Sequence, residues 1–119
     1  MSYYDSLETR DPAVREADLM DKLRSQLAHA KQASTYYAHV LAGIDPVACD
    51  SRQALAALPL TRKRELIELQ KATPPFGGLN ALAKGEVRRV FASPGPIFEL
   101  QGAEVDHWRM VRALYAAGF

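Results

Sequence analysis

Cysteine is nearly absent from this sequence, which carries Cys49 alone among its 119 residues. One thiol cannot form an internal disulfide, and the first residues do not combine a basic stretch with an apolar signal core. Both observations predict a reducing, cytoplasmic setting. The histidines His29, His39 and His107 show no metal-ligand spacing, and Cys49 has no cysteine partner, so we expect no bound metal.

A charge excess of one sign is also missing, because fifteen basic and fourteen acidic side chains give a formal net charge of +1. Without a strong overall field, the sequence offers no basis for binding nucleic acid or an anionic membrane surface. Charged residues interrupt every apolar run, so none approaches the ~20 apolar residues that a membrane-spanning helix needs. We therefore expect neither nucleic acid nor membrane as a partner.

Helical signals fill residues 1–72, which we predict to form a helical entry segment. Asp11 is a good N-cap and Pro12 suits the first helical position. An apolar stripe follows at spacings of four, four and three: Leu19, Leu23, Leu27 and Ala30. The pattern restarts at Ser34 and continues to Gly43, a suitable helix C-cap, so we predict two helices with a break at Ser34.

Two shorter helices are predicted next. Asp50 and Gln53 resemble a capping box that opens a helix ending before Pro59. Thr61 is the N-cap candidate of the following helix, which runs to about Lys71.

Proline and glycine then interrupt the pattern over residues 73–86, which we predict to be a linker and connection. Residues 87–119 are predicted to hold two strands, 87–93 and 97–100, and a final helix, 103–117, with Gly118 as its cap. The aromatic side chains of these elements are expected to lie mostly in the core. The fold class is therefore α+β, mostly α-helical with one short β-hairpin.

An isolated two-stranded ribbon is marginal in water and needs further strands or a covering helix. We therefore expect residues 1–119 to be a single partial domain that belongs to a larger α/β domain.

The turn between the two strands is the one segment with possible nucleotide chemistry. Small residues such as Ser93 and Gly95, placed directly after an apolar strand, are typical of loops that let a phosphate approach backbone amides. Pro94 and Pro96 remove two of those amides, and no lysine follows. From the residues alone, a plain hairpin turn is favoured and phosphate binding is the alternative.

The order of several short motifs resembles a known family. These motifs are Tyr36-Tyr37, Leu41-Ala42-Gly43-Ile44-Asp45-Pro46, the run Leu58-Pro59-Leu60-Thr61-Arg62-Lys63-Arg64-Glu65-Leu66, and Pro75-Phe76-Gly77. The run at 58–66 is similar to a Leu-Pro-x-Thr-x-Lys-x-x-Leu signature. Together they resemble the N-terminal region of phenylacetate-CoA-ligase-like enzymes, which are adenylate-forming ligases, over nearly the whole chain.

The resemblance implies an enzyme that joins a carboxylic acid to AMP, releases pyrophosphate and passes the acyl group to coenzyme A. ATP, Mg and CoA would be the cofactors of the intact family. Where the family has a Ser- and Thr-rich ATP-phosphate loop, this chain keeps Ser93 and Gly95 and loses both threonines. These two residues are the nucleotide-binding candidates of a degenerate loop. The resemblance assigns no catalytic residue to this chain, and we expect no cofactor for the chain alone.

Three hypotheses remain open. In the first, the chain is an N-terminal fragment of such a ligase, inactive alone, whose partner is the missing C-terminal remainder; it predicts a large exposed apolar patch. In the second, it is a non-catalytic helical interaction module in which Leu19, Leu23 and Leu27 bind a partner helix or a second copy. In the third, the ligase scaffold is kept and the altered loop takes a different ligand.

Overall fold

The computed structural model describes residues 2–119 and shows a mostly helical chain with one β-hairpin, as the sequence predicts. The α-helices are α1 (Pro12–Ala33), α2 (Thr35–Val40), α3 (Arg52–Ala56), α4 (Lys63–Ala72) and α5 (Val111–Ala116), and the strands are β1 (Arg89–Ser93) and β2 (Ile97–Gln101). Short 3-10 turns lie at Ser6–Thr9, Pro46–Ala48 and Lys84–Glu86. Among residues 2–119, no helix combines the length and the apolar character that crossing a membrane requires.

The predicted break between the first two helices is confirmed at Ser34. The carboxylate of Asp11 accepts hydrogen bonds from the backbone N–H groups of Ala13 and Val14, which caps α1 at its start. Ser34 ends α1 in an extended conformation, and its hydroxyl accepts from the N–H of Tyr37 at 3.3 Å. One serine thus closes the first helix and begins the second.

A small apolar core holds the helical half together. Leu27, Leu41 and Cys49 form its buried centre, and Leu23, Ala30, Tyr37, Ile44, Ala54 and Leu58 pack around them. Most of the predicted α1 stripe therefore faces inward. Leu19 is the exception at 40% exposure, and Met20 takes the buried position beside it.

The two predicted N-caps of the short helices are wrong by one residue. Ser51, not Asp50, caps α3, because its extended backbone places its hydroxyl 3.2 Å from the N–H of Ala54. Arg62 precedes α4 without a side-chain cap, and the Thr61 hydroxyl instead lies 3.3 Å from the hydroxyl of Tyr37.

The Pro/Gly-rich connection after α4 is anchored to the start of α2 through one carbonyl. The Gly78 oxygen accepts from the Ser34 hydroxyl at 2.8 Å, from the Thr35 hydroxyl at 3.3 Å and from the Tyr36 N–H at 3.1 Å. Gly78 has φ +72, and a Cβ there would lie 2.5 Å from the Thr35 hydroxyl. Glycine is therefore required by both its backbone angle and the close approach.

The hairpin is antiparallel, with Arg89 opposite Gln101 and Ser93 opposite Ile97. Residues 94–96 form the turn, and β1 begins at Arg89 rather than at the predicted Val87. β2 lies against α4, which joins the hairpin to the helical half.

The predicted helix over residues 103–117 is wrong for its first half. Asp106 and Arg109 have φ of 56°, in the left-handed region that interrupts a right-handed helix. The Asp106 carboxylate accepts hydrogen bonds from the N–H groups of Met110 and Val111, at 2.7 and 3.1 Å. It thus provides an acceptor for backbone N–H groups at the start of the short α5. A turn capped by aspartate replaces two turns of helix.

The surface is larger than that of a compact monomer. It measures 8897 Å², whereas about 6,400 Å² is expected for a folded chain of this mass. The radius of gyration is 16.7 Å, against about 13.5 Å for a compact domain of this length. Phe91, Phe98 and Trp108, predicted as core residues, belong to this exposed apolar surface.

Candidate functional site

The hairpin turn that carries Ser93 and Gly95 packs against α4. The Ser93 hydroxyl is half-buried and donates to the Ile97 carbonyl at 3.5 Å. A Cβ on Gly95 would lie 3.2 Å from the Ile67 Cδ1 atom and 3.1 Å from Ile97 Cγ1. Ile97 is 2% exposed, the most buried large side chain in the hairpin. Close packing therefore accounts for the glycine without a bound anion.

The same turn offers little to a phosphate group. Two of its residues, Pro94 and Pro96, have no backbone N–H to donate. Glu99, two residues beyond Ile97, is exposed and carries a negative charge. The assignment of Ser93 and Gly95 to nucleotide binding stays a prediction.

A groove of about 400 Å³ lies beside β2, and we call it the β2 groove. Its lining is Tyr37, Thr61, Leu66, Gln70, Phe76, Leu79, Asn80, Ala81, Leu82, Ile97, Phe98, Glu99, Leu100, His107 and Trp108. Most of these side chains are apolar. Such a lining suits the binding of an apolar group, oriented by a few polar contacts.

Gln70 is the polar residue that organises the β2 groove. Its side-chain amide donates from Nε2 to the Phe98 carbonyl and accepts through Oε1 from the Phe98 N–H, both at 2.9 Å. The glutamine therefore replaces one residue of a neighbouring strand. We call this pair of bonds the Gln70 clamp.

Sequence reasoning missed the clamp, because a glutamine in a charged helix usually faces solvent. The available signal is spacing. Gln70 lies four residues after Leu66 and three after Ile67, so all three share the face of α4 that is turned toward the hairpin.

His107 lies at the end of the β2 groove and is half-buried. Its Nδ1 atom accepts from the Gly102 N–H at 3.3 Å. The ring stands edge-on to Trp108, with centroids 5.0 Å apart, and Trp108 meets Phe91 at 5.9 Å. The three rings form a partly exposed aromatic row.

The carboxyl groups whose pKa values are shifted belong to exposed ion pairs outside the β2 groove. A hydrogen bond from Arg112 lowers the pKa of Asp5, and one from Arg52 lowers the pKa of Glu16. Across residues 2–119, no group of three or more His, Cys, Asp or Glu side chains is arranged to hold a metal ion.

Comparison with known proteins gives two matches, both to solved structures. These are crystal structures of 2-hydroxyisobutyryl-CoA ligase in the postadenylation state, one in complex with 2-HIB-AMP and one with R3-HIB-AMP. The first has a TM-score of 0.78 and 25% sequence identity over 91% of this chain. The second has a TM-score of 0.82 and 24% identity over 100% of this chain. This chain has the fold of part of an adenylate-forming CoA ligase.

The match covers 24% and 28% of the two ligase chains, so this chain spans about a quarter of their length. No protein-family model matches the sequence, and no curated protein shows a significant match. The likeness agrees with the resemblance to adenylate-forming ligases. It does not single out the phenylacetate-CoA ligase subtype.

Proposed function

We propose that this chain is the N-terminal scaffold of an AMP-forming carboxylate–CoA ligase and has no adenylation activity alone. The observation that carries the proposal is the structural match, which extends over 91–100% of the chain at TM-scores of 0.78 and 0.82. A likeness of this extent includes the helical core, the connection and the hairpin together, so it does not rest on one common motif.

The uncovered surface gives independent support. The chain exposes about 2,500 Å² more than a compact monomer of its mass. An area of this size is enough for a large interface, and Phe91 and Trp108 of the aromatic row are 43% and 46% exposed within it. The partner in this proposal is the remainder of the ligase, which would bring the acid, adenine and coenzyme A sites.

In this proposal the overall reaction is that of phenylacetate-CoA-ligase-like enzymes: acid, ATP and CoA give acyl-CoA, AMP and pyrophosphate. ATP, Mg and CoA would bind mainly to the remainder, and Ser93 and Gly95 would contribute at most a degenerate part of the phosphate loop. An aromatic or other carboxylic acid is the proposed substrate class, and the proposed setting is cytoplasmic.

The helical interaction module is the weaker alternative. It needs the α1 stripe to be free for a partner, but Leu23 and Leu27 are used in the internal core. Leu19 alone would remain for such a contact.

The test is to read the coding frame beyond the codon for Phe119 and to express the encoded product. We expect several hundred further codons and a product that forms AMP only when a carboxylic acid, ATP and CoA are all present. Phenylacetate and 2-hydroxyisobutyrate are the first acids to compare, and the 119-residue chain is the inactive control. A stop codon directly after Phe119, or a folded longer product that forms no AMP with a broad acid panel, would refute the proposal.

A further inference from the structure

The first residues of the chain lie against α5, although 107 to 113 positions separate the contacting residues. The Arg112 guanidinium donates to the Asp5 carboxylate from two of its nitrogens, Nε at 3.1 Å and Nη2. The hydroxyls of Ser2 and Tyr115 lie 2.7 Å apart. The ring of Tyr4 stands edge-on to that of Tyr115, with centroids 5.5 Å apart. We call these contacts the N-terminal latch.

α5 has little packing of its own to fix its position. Each of residues 111–116 is at least partly exposed, and Leu114 is 45% exposed. Helices shorter than about 12–15 residues are marginal in water when isolated, because the first turn is costly to form. Contacts from outside the helix must therefore hold it.

The segment that carries the latch is anchored to α1. Asp5 caps the 3-10 turn at Ser6–Thr9 by accepting from the Leu7 N–H at 3.0 Å. Arg10, directly after this turn, donates to the Leu7 carbonyl at 3.0 Å and forms an ion pair with Asp18 of α1. The N-terminal latch thus ties α5 to the helical half.

A tight turn joins α5 to one end of the β2 groove. Asp106 accepts through its carboxylate from two N–H groups at the start of α5, and through its carbonyl from the Arg109 N–H at 2.8 Å. His107 and Trp108 lie inside this turn and line the groove. Because three hydrogen bonds close the turn, a displacement of α5 also displaces these two side chains.

We propose that the N-terminal latch holds α5 and the turn before it in place, and so closes the end of the β2 groove that His107 and Trp108 form. When the latch is released, residues 103–117 move away and the groove opens at that end. The hydrogen bond from the Gly102 N–H to His107 is the contact that this movement breaks. The inference does not depend on the proposed ligase function.

The first test compares Arg112→Gln with Arg52→Gln in the 119-residue chain. Each change removes an arginine that donates twice to one carboxyl group, and the second pair, Arg52 with Glu16, lies away from the latch. Arg112→Gln should accelerate amide exchange at Gly102 about threefold, as expected for the loss of an exposed ion pair. Arg52→Gln should leave that exchange unchanged.

Fluorescence gives a second readout, because Trp108 is the single tryptophan of the chain. Its emission should shift to longer wavelength in Arg112→Gln, since the side chain leaves Phe91 and meets more water. Tyr4→Ala should cause the same shift by removing the ring contact with Tyr115. Tyr3→Ala, at a neighbouring tyrosine that is 62% exposed, is the matched control and should cause none.

Salt provides a test that needs no variant to fold. Raising the ionic strength from about 0.05 M to about 1 M screens an exposed ion pair, so it should accelerate Gly102 exchange in the parent chain. In Arg112→Gln, which lacks the pair, the same change should have less effect.

Gly102 exchange and Trp108 emission that stay as in the parent in Arg112→Gln and Tyr4→Ala, both shown to be folded by circular dichroism, would overturn the proposal. Equal effects of Arg52→Gln or Tyr3→Ala would overturn it too, since they would indicate general destabilisation. So would Gly102 exchange in the parent that salt leaves unchanged.

Discussion

Replacing Gln70 by alanine should separate the hairpin from the helical half. The change removes two hydrogen bonds of 2.9 Å and leaves the Phe98 N–H and carbonyl without their partners. Gln70 is 7% exposed, so its loss also leaves a gap between α4 and β2. Phe98 itself is partly exposed, and water would replace part of what is lost.

The expected cost follows from these contacts. Two hydrogen bonds contribute about 0.5–1.5 kcal/mol each, and an unsatisfied buried group costs more. We expect Gln70→Ala to lower the free energy of unfolding by about 1–3 kcal/mol. With a urea m-value of about 1–2 kcal/mol/M, the midpoint should fall by about 1 M. Amide exchange at Phe98 should accelerate at least about fivefold, since about 1.4 kcal/mol corresponds to a factor of ten.

Gln70→Glu is the matched control, because a carboxyl group has the size of the amide. Ionised, it can accept from the Phe98 N–H but repels the Phe98 carbonyl; protonated, it can make both bonds. Burial and the carbonyl should raise the pKa of this carboxyl in the folded state. The variant should therefore regain stability at low pH and lose it as the pH rises through that pKa. Unchanged urea midpoints and Phe98 exchange in both variants would refute the role of the clamp.

Three further predictions concern the rest of the chain. Leu27→Ala should cost about 2–5 kcal/mol in urea unfolding, whereas Leu19→Ala, on the same helix but outside the core, should cost less than about 1 kcal/mol; equal losses would contradict the inward-facing stripe. Gly78→Ala should lower the free energy of unfolding by at least about 1 kcal/mol because of its positive φ alone. A stability equal to that of the parent would contradict the 2.5 Å approach between a Cβ at this position and the Thr35 hydroxyl. The Asp5 carboxyl should titrate by NMR below its usual pKa because Arg112 donates to it, and Arg112→Gln should move that titration up. Because the folded pKa is lowered, this pair stabilises the chain above the normal aspartate pKa and loses its effect as the pH falls through the folded value.

Local signals predicted the helical half well. A capping aspartate followed by proline, a serine break and leucines at helical spacing depend on neighbours close in sequence, and each lies where expected except Leu19, which is exposed. The predicted C-cap at Gly43 is also wrong, because α2 ends at Val40 with Leu41 as its C-cap. This error and those of one residue at Asp50 and Thr61 arose because a cap is decided by backbone angles that flanking residues do not fix.

The second half was less predictable because distant contacts decide it. The apolar spacing from Val105 to Leu114 suits a helix, yet Asp106 adopts a left-handed angle and caps α5 instead. The Gln70 clamp joins residues 28 positions apart; the local spacing places Gln70 on the apolar face of α4 but does not identify Phe98 as its partner. The nucleotide role of Ser93 and Gly95 stays a prediction, and the approach of Gly95 to Ile67 of α4 accounts for the glycine without a ligand.

The helical half and the hairpin half differ in how much of their own apolar surface they bury. The helical half buries Leu27, Leu41 and Cys49 in a closed cluster, whereas Ile97 is the large buried side chain of the hairpin half. Phe91 and Trp108 were predicted to be core residues because aromatic side chains at strand and helix spacing usually bury area, and here they lie partly open. Periodicity shows which face is apolar but not what covers it. The hairpin should therefore open at lower free energy than the helical core.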